Sequence, residues 1–149
     1  MDRRSISGLK RVVEGIDETA TTQDCLRRLD QRGRGCTPKQ LIDKAKEIYD
    51  KTQTIEAFLA EFGGVFEFLH VEGDAVTVVY PRCFCHHIAD EPKEEIPDEY
   101  CECSRSWVRE LFESAIGQDV EVEVLESVIR GGEMCRFSVS FPRSVYHRT

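Results

Sequence analysis

Gly63-Gly64 marks the point at which the apolar residues of this chain stop recurring every three to four positions and begin to alternate. A helical pattern cannot settle as a strand, nor the reverse, so the chain must combine helices with a sheet. Upstream, Thr54 caps a helix bearing Ile55, Phe58, Leu59 and Phe62, which the two glycines end. Before it, Thr37 as N-cap, Pro38 at the first helical position and Gln40 as capping-box partner start another helix. That helix aligns Leu41, Ile42, Ala45, Ile48 and Tyr49 on one face. Earlier still, Thr22 can cap a short helix with Cys25, Leu26 and Leu29, stopped by Gly33.

Downstream, Val65–Val71 and Ala75–Tyr80 read as two strands joined at Glu72-Gly73-Asp74, a β-hairpin. Residues 81 to 103 form a polar connection, far longer than usual; connections of that length tend to be functional or disordered. Ser104 then opens a helix with Trp107, Val108, Leu111, Phe112 and Ala115 on its apolar side and Gly117 at its end. In a second hairpin, Val120, Val122 and Val124 alternate with glutamates, Gly131-Gly132 turn the chain, and Cys135, Phe137, Val139 and Phe141 alternate with Arg136, Ser138 and Ser140. The alternation predicts a buried Cys135 and an Arg136 on the opposite face. The predicted fold is α+β: N-terminal helices, then hairpin–helix–hairpin, the strands forming one antiparallel sheet of about four. One domain is expected over residues 1–149, with 1–36 a peripheral helical segment and 37–141 the core.

The 149 residues suffice for one well-buried core, and 40% hydrophobic with 32% charged residues is ordinary globular composition. There is no apolar run near the ~20 residues of a membrane helix, and no apolar segment follows Met1-Asp2-Arg3-Arg4-Ser5, so a cytoplasmic protein that does not engage membranes is expected. The net charge of −8 argues against nucleic acid as partner. Arg27, Arg28, Arg32 and Arg34, the one basic cluster, fall where they complement the end of a helix.

Seven cysteines are many for such a chain; in a reducing compartment they are thiols or metal ligands rather than disulfides. Five lie in the chemically densest stretches: Cys83-Phe84-Cys85-His86-His87, then Cys101-Glu102-Cys103, and Cys135 in the last strand. Four thiolates, or three with one imidazole, suit tetrahedral zinc. Cys101 and Cys103 lie at the start of a helix, where the dipole favours the thiolate. Packed thiols are the plain alternative, since Cys-x-Cys on a strand only puts two small apolar groups on one face. Cys25 and Cys36 read as core or surface thiols. Adjacent histidines point apart, so at most one of His86 and His87 joins a site. The acidic run from Asp90 to Glu102 reads as solvated chain.

The stretch Tyr100-Cys101-Glu102-Cys103-Ser104-Arg105-Ser106-Trp107, then Leu111-Phe112-Glu113, Ile116-Gly117, Val120–Glu123 and Gly131-Gly132-Glu133-Met134-Cys135-Arg136-Phe137 resembles the 4-vinyl-reductase-like domain. That domain belongs to a ligand-binding superfamily that includes haem-type nitric-oxide sensors and Golgi-trafficking subunits. A similar ending occurs in the aminothiazoline-carboxylate hydrolase family. The order of helix and hairpins extends the resemblance over roughly residues 37 to 141. The resemblance implies a zinc site with one ligand at the head of the last helix and the others in the final hairpin. Cys101 and Cys135 match the first and last of those cysteines. Ser127 stands where the middle one belongs, and Val124, between Glu123 and Glu126, where a glutamate belongs. Cys83, Cys85 and Cys103 can supply substitutes; alternatively the metal has been lost and the thiols line a pocket.

The expected function is therefore that of a small-molecule-binding, sensor-type domain with a cysteine-rich metal site, its cofactor zinc at Cys83, Cys85, Cys101, Cys103 and Cys135, with His86 as an alternative ligand. Trp107, Phe112 and Phe137, with Phe66 and Phe68, would wall a pocket for an apolar or aromatic ligand. The alternatives are a hydrolase or thiol-dependent enzyme pairing one of Cys83, Cys85, Cys101 or Cys103 with His86 or His87, and a structural interaction module. A homodimer is compatible with each.

Overall fold

The computed structural model describes residues 19–80 and 98–147. The described residues fold as α1 (Thr22–Cys36), α2 (Lys39–Lys51), α3 (Ile55–Gly63), β1 (Leu69–Glu72), β2 (Ala75–Tyr80), α4 (Cys101–Ile116), β3 (Glu121–Glu126) and β4 (Cys135–Ser140). The strands make one four-stranded antiparallel sheet in the order β1-β2-β4-β3, so the two hairpins join through β2 and β4 as the alternation predicts. This is the α+β fold expected, helices on one side of a sheet.

The core lies between that sheet and the helices. Val76 and Val78 of β2, Phe137 and Val139 of β4 and Val122 of β3 face Phe58 and Phe62 of α3 and Val108, Leu111 and Phe112 of α4. The opposite face is polar: Thr77 pairs across Ser138 to Glu123, and Val79 across Arg136 to Glu126. Phe62 stacks on Phe58 at 5.5 Å and meets Phe112 edge-on at 6.1 Å, a geometry aromatic rings favour.

Several boundaries differ from expectation, each for a local reason. Thr21, not Thr22, caps α1, exchanging bonds with Asp24 in a full capping box. Gly33 does not stop that helix; it lies inside it. Pro38, without a side-chain cap, precedes α2, because the Thr37 hydroxyl turns to the carbonyls of Gly33 and Trp107. Thr54 does cap α3, accepting from the Ala57 amide. β1 begins only at Leu69, since the Val65 and Phe66 amides both bond back to the Phe62 carbonyl and extend the helix end. The second hairpin has no tight turn at Gly131-Gly132: a turn of 3₁₀ helix over Val128–Arg130 intervenes, and Leu125 bulges out of β3. Gly117 ends α4 at φ 72°, as expected.

Helix α1 is not peripheral. Among the described residues its contact with α4 is the most extensive between two elements. The contacts advance in step, Asp30 to Ser106 and Arg34 to Glu110 and Glu113, so the two helices run in the same direction. Among the described residues no helix is long and apolar enough to cross a membrane.

Candidate functional site

Helix α4 starts three residues earlier than its Ser104 signal suggested, with Cys101 and Cys103 in its first turn and both buried. This changes their meaning. Two residues apart on a helix is about 200° of rotation, so the thiols leave opposite sides of α4 and cannot chelate as a pair. The backbone at Cys103 lies against Gly33 of α1.

Cys101 turns toward the connection between β3 and β4. Its Sγ is 3.0 Å from the hydroxyl of Ser127, which is 2% exposed. Ser127 is held by its own loop: its carbonyl accepts from the amides of Arg130 and Gly132, at 3.1 and 2.8 Å. A β-carbon at Gly132 would come within 2.5 Å of Glu126 Cγ, so glycine allows this close approach. Cys135, first residue of β4, is half-buried rather than buried, and Arg136 is exposed. Cys135 pairs with Tyr80, last residue of β2, and lies close enough to Cys101 for the two thiols to interact electrostatically.

Burial pushes the Cys101 thiol above its ordinary value, and Cys135 and Asp98 add to that push. The Ser127 hydrogen bond and the Arg130 charge work the other way without reversing it. Desolvation thus outweighs the helix terminus expected to favour a thiolate, and Cys101 without a metal is a neutral thiol near pH 7. Burial, and then Cys135, raise the Tyr80 hydroxyl as well.

Tyr80 leads to the aromatic residues. Its ring meets Trp107 at 6.4 Å, Phe137 at 6.2 Å and Phe68 at 4.8 Å, while Trp107 lies over Phe66 at 6.0 Å. Phe112 and Phe137, expected to wall a pocket, are 0% and 1% exposed and belong to the packed core. Trp107, Phe68 and Tyr80 are half-buried, and of the three it is Tyr80 that pairs with Cys135.

Cys25 is buried and Cys36 exposed. Cys83, Cys85, His86 and His87 lie outside the described residues. Among the described residues no group of three or more His, Cys, Asp or Glu side chains is placed to hold a metal ion, so these residues alone do not fit zinc. Arg130, which faces Cys101 and donates to the Asp98 carbonyl at 3.2 Å, was not foreseen from the sequence. Nothing in its surroundings distinguishes it there from a solvated turn residue.

A family model matches residues 9–146, nearly the whole chain, and is described as a family of unknown function, DUF6144. The chain belongs to DUF6144. No curated protein and no solved structure matches this DUF6144 chain. Its function must therefore be argued from Cys101, Ser127, Cys135 and the rings beside them.

Proposed function

We propose that this DUF6144 domain binds a small apolar or aromatic molecule, and that its loop thiols hold a zinc ion bracing the site. The observation that carries the reading is the meeting of Cys101, Ser127 and Cys135. Cys101 lies far in sequence from the hairpin that carries the other two, yet they are the three positions at which the 4-vinyl-reductase-like resemblance expects its cysteines. Convergence of all three supports that alignment over chance likeness. Two of the three carry a thiol, and serine is a poor zinc ligand, so further donors are needed.

The chain between β2 and α4 carries them. Tyr80 pairs with Cys135 and Asp98 acts on Cys101, so both flanks of that connection stand at the thiols. In sequence, Cys83 follows Tyr80 by three positions and Cys85 by five. Either cysteine, or His86, is a proposed third or fourth ligand. Bound zinc would supply the positive charge that a buried thiolate requires. The elevated Cys101 thiol gives no support to a nucleophilic cysteine, so catalysis is not part of the reading.

The test is elemental analysis with native mass spectrometry on protein purified without added metal. About one zinc per chain is expected, lost in both Cys101→Ser and Cys135→Ser with a sharp fall in Tm. Metal-free protein whose Tm ignores chelators would overturn the metal part. For the ligand, Trp107 is the sole tryptophan, so its fluorescence should change on titration with aromatic compounds. A binder present at 100 times its Kd should stabilise the fold by about 2.7 kcal/mol. An aromatic panel that moves neither fluorescence nor Tm would sink the binding part.

A further inference from the structure

Strand β3 is an outer strand of the sheet, and outer strands present unpaired backbone groups to any passing strand. Helix α4 takes up two of those groups here. The Val120 amide donates to Glu113 Oε2 at 2.9 Å, and Arg105 Nη1 donates to the Val122 carbonyl at 3.0 Å. Val120 and Val122 share a parity, so both bonds lie on the side of the strand away from β4. Arg105 is fixed in turn by a two-pronged bond to Glu102, both contacts at 2.8 Å.

Beside this edge lie two hollows, of about 400 and 440 Å³, one running toward Glu99 and Arg130, the other toward Arg109 and Ser140. Both are lined by Arg105, Val122 and Glu123, so Arg105 stands as a bar across one groove along β3. The bulge at Leu125 closes the far end of the strand to regular pairing.

We propose that Arg105 is a guard on a strand-pairing edge, and that the occupant it keeps out is β3 of a second copy of this chain. The sequence Glu121-Val122-Glu123-Val124 is self-complementary in the relevant sense. Two copies paired antiparallel would keep their valines on the core side and continue the sheet through both molecules. Their glutamates would then face one another across the outer surface, a repulsion that adds to the guard and that salt screens.

The test is sedimentation equilibrium of the full chain, as wild type and as Arg105→Met, over a wide concentration range at low and high salt. Methionine keeps the stem's apolar contact and removes the donor. Wild type should remain at 17.1 kDa. Arg105→Met should shift toward twice that mass, with association strengthened at least several-fold by salt. Adding Val124→Pro, which removes an outward amide from the edge, should abolish the shift, circular dichroism showing that the double variant is folded. Independently, the Val122 and Val124 amides should exchange more slowly in the associated form. The proposal falls if wild type itself pairs through β3, or if Arg105→Met stays monomeric at high salt. It falls equally if association leaves those two amides unprotected.

Discussion

A β-carbon placed on Gly33 would come within 2.0 Å of the Cys103 carbonyl oxygen, which is backbone and cannot swing aside. Gly33→Ala should therefore push α1 off α4 and cost about 1–3 kcal/mol or more, although alanine is the better helix former. Urea denaturation checks this; a stabilised variant would mean the helices are not so close. Gly33 was readable as a special position from the sequence, but for the wrong reason. A glycine late in a helical pattern signals a stop, and only the partner helix reveals that the missing side chain makes room. Cys101 was misread in a similar way. Its place in the sequence marks a helix start, where thiolates are favoured, but the loop of Ser127 buries it, and burial depends on chain far away.

Helices and strands were largely legible because long apolar patterns survive tertiary packing. Their ends were not, because ends are set by single hydrogen bonds. Thr37 shows this best: its sequence context is that of an N-cap, yet its hydroxyl serves α1 and α4 at 3.3 and 3.1 Å. Thr37→Val keeps the shape and strips the donor from a site 7% exposed, so it should cost about 1–3 kcal/mol. Thr54→Ala, a true cap, should cost about 1 kcal/mol. If chemical denaturation ranks Thr37→Val well below Thr54→Ala, the bridging role is wrong. The three-residue shift of the α4 start mattered more for function, because it turned a supposed chelating pair into thiols on opposite faces.

Across the whole molecule, polar side chains tie α1 to α4. Arg34 reaches Asp30, Glu110 and Glu113 at 3.2, 3.0 and 2.9 Å, and the Ser106 hydroxyl donates to Asp30 at 2.6 Å. Burial works against the Asp30 carboxylate, but the Ser106 bond and then Arg34 outweigh it and hold the group below its usual 3.8. A lowered folded value means stability present above the unfolded value and lost as pH falls through the folded one. Asp30→Asn should thus flatten the decline of Tm as pH falls below about 4. An unchanged acid limb would remove Asp30 from the explanation. The pairings between the two helices were not legible beforehand, since they join residues more than 70 positions apart. The direction of α1 has a further consequence in time. Because Asp30 waits for Ser106, 76 positions later, a chain growing at about 5–20 residues per second leaves α1 without its partner for roughly 4–15 seconds. During synthesis, then, the face carrying Cys25, Leu29 and Gly33 is the surface this protein must keep from its neighbours, and chaperones that delay premature contacts should be found on that helix.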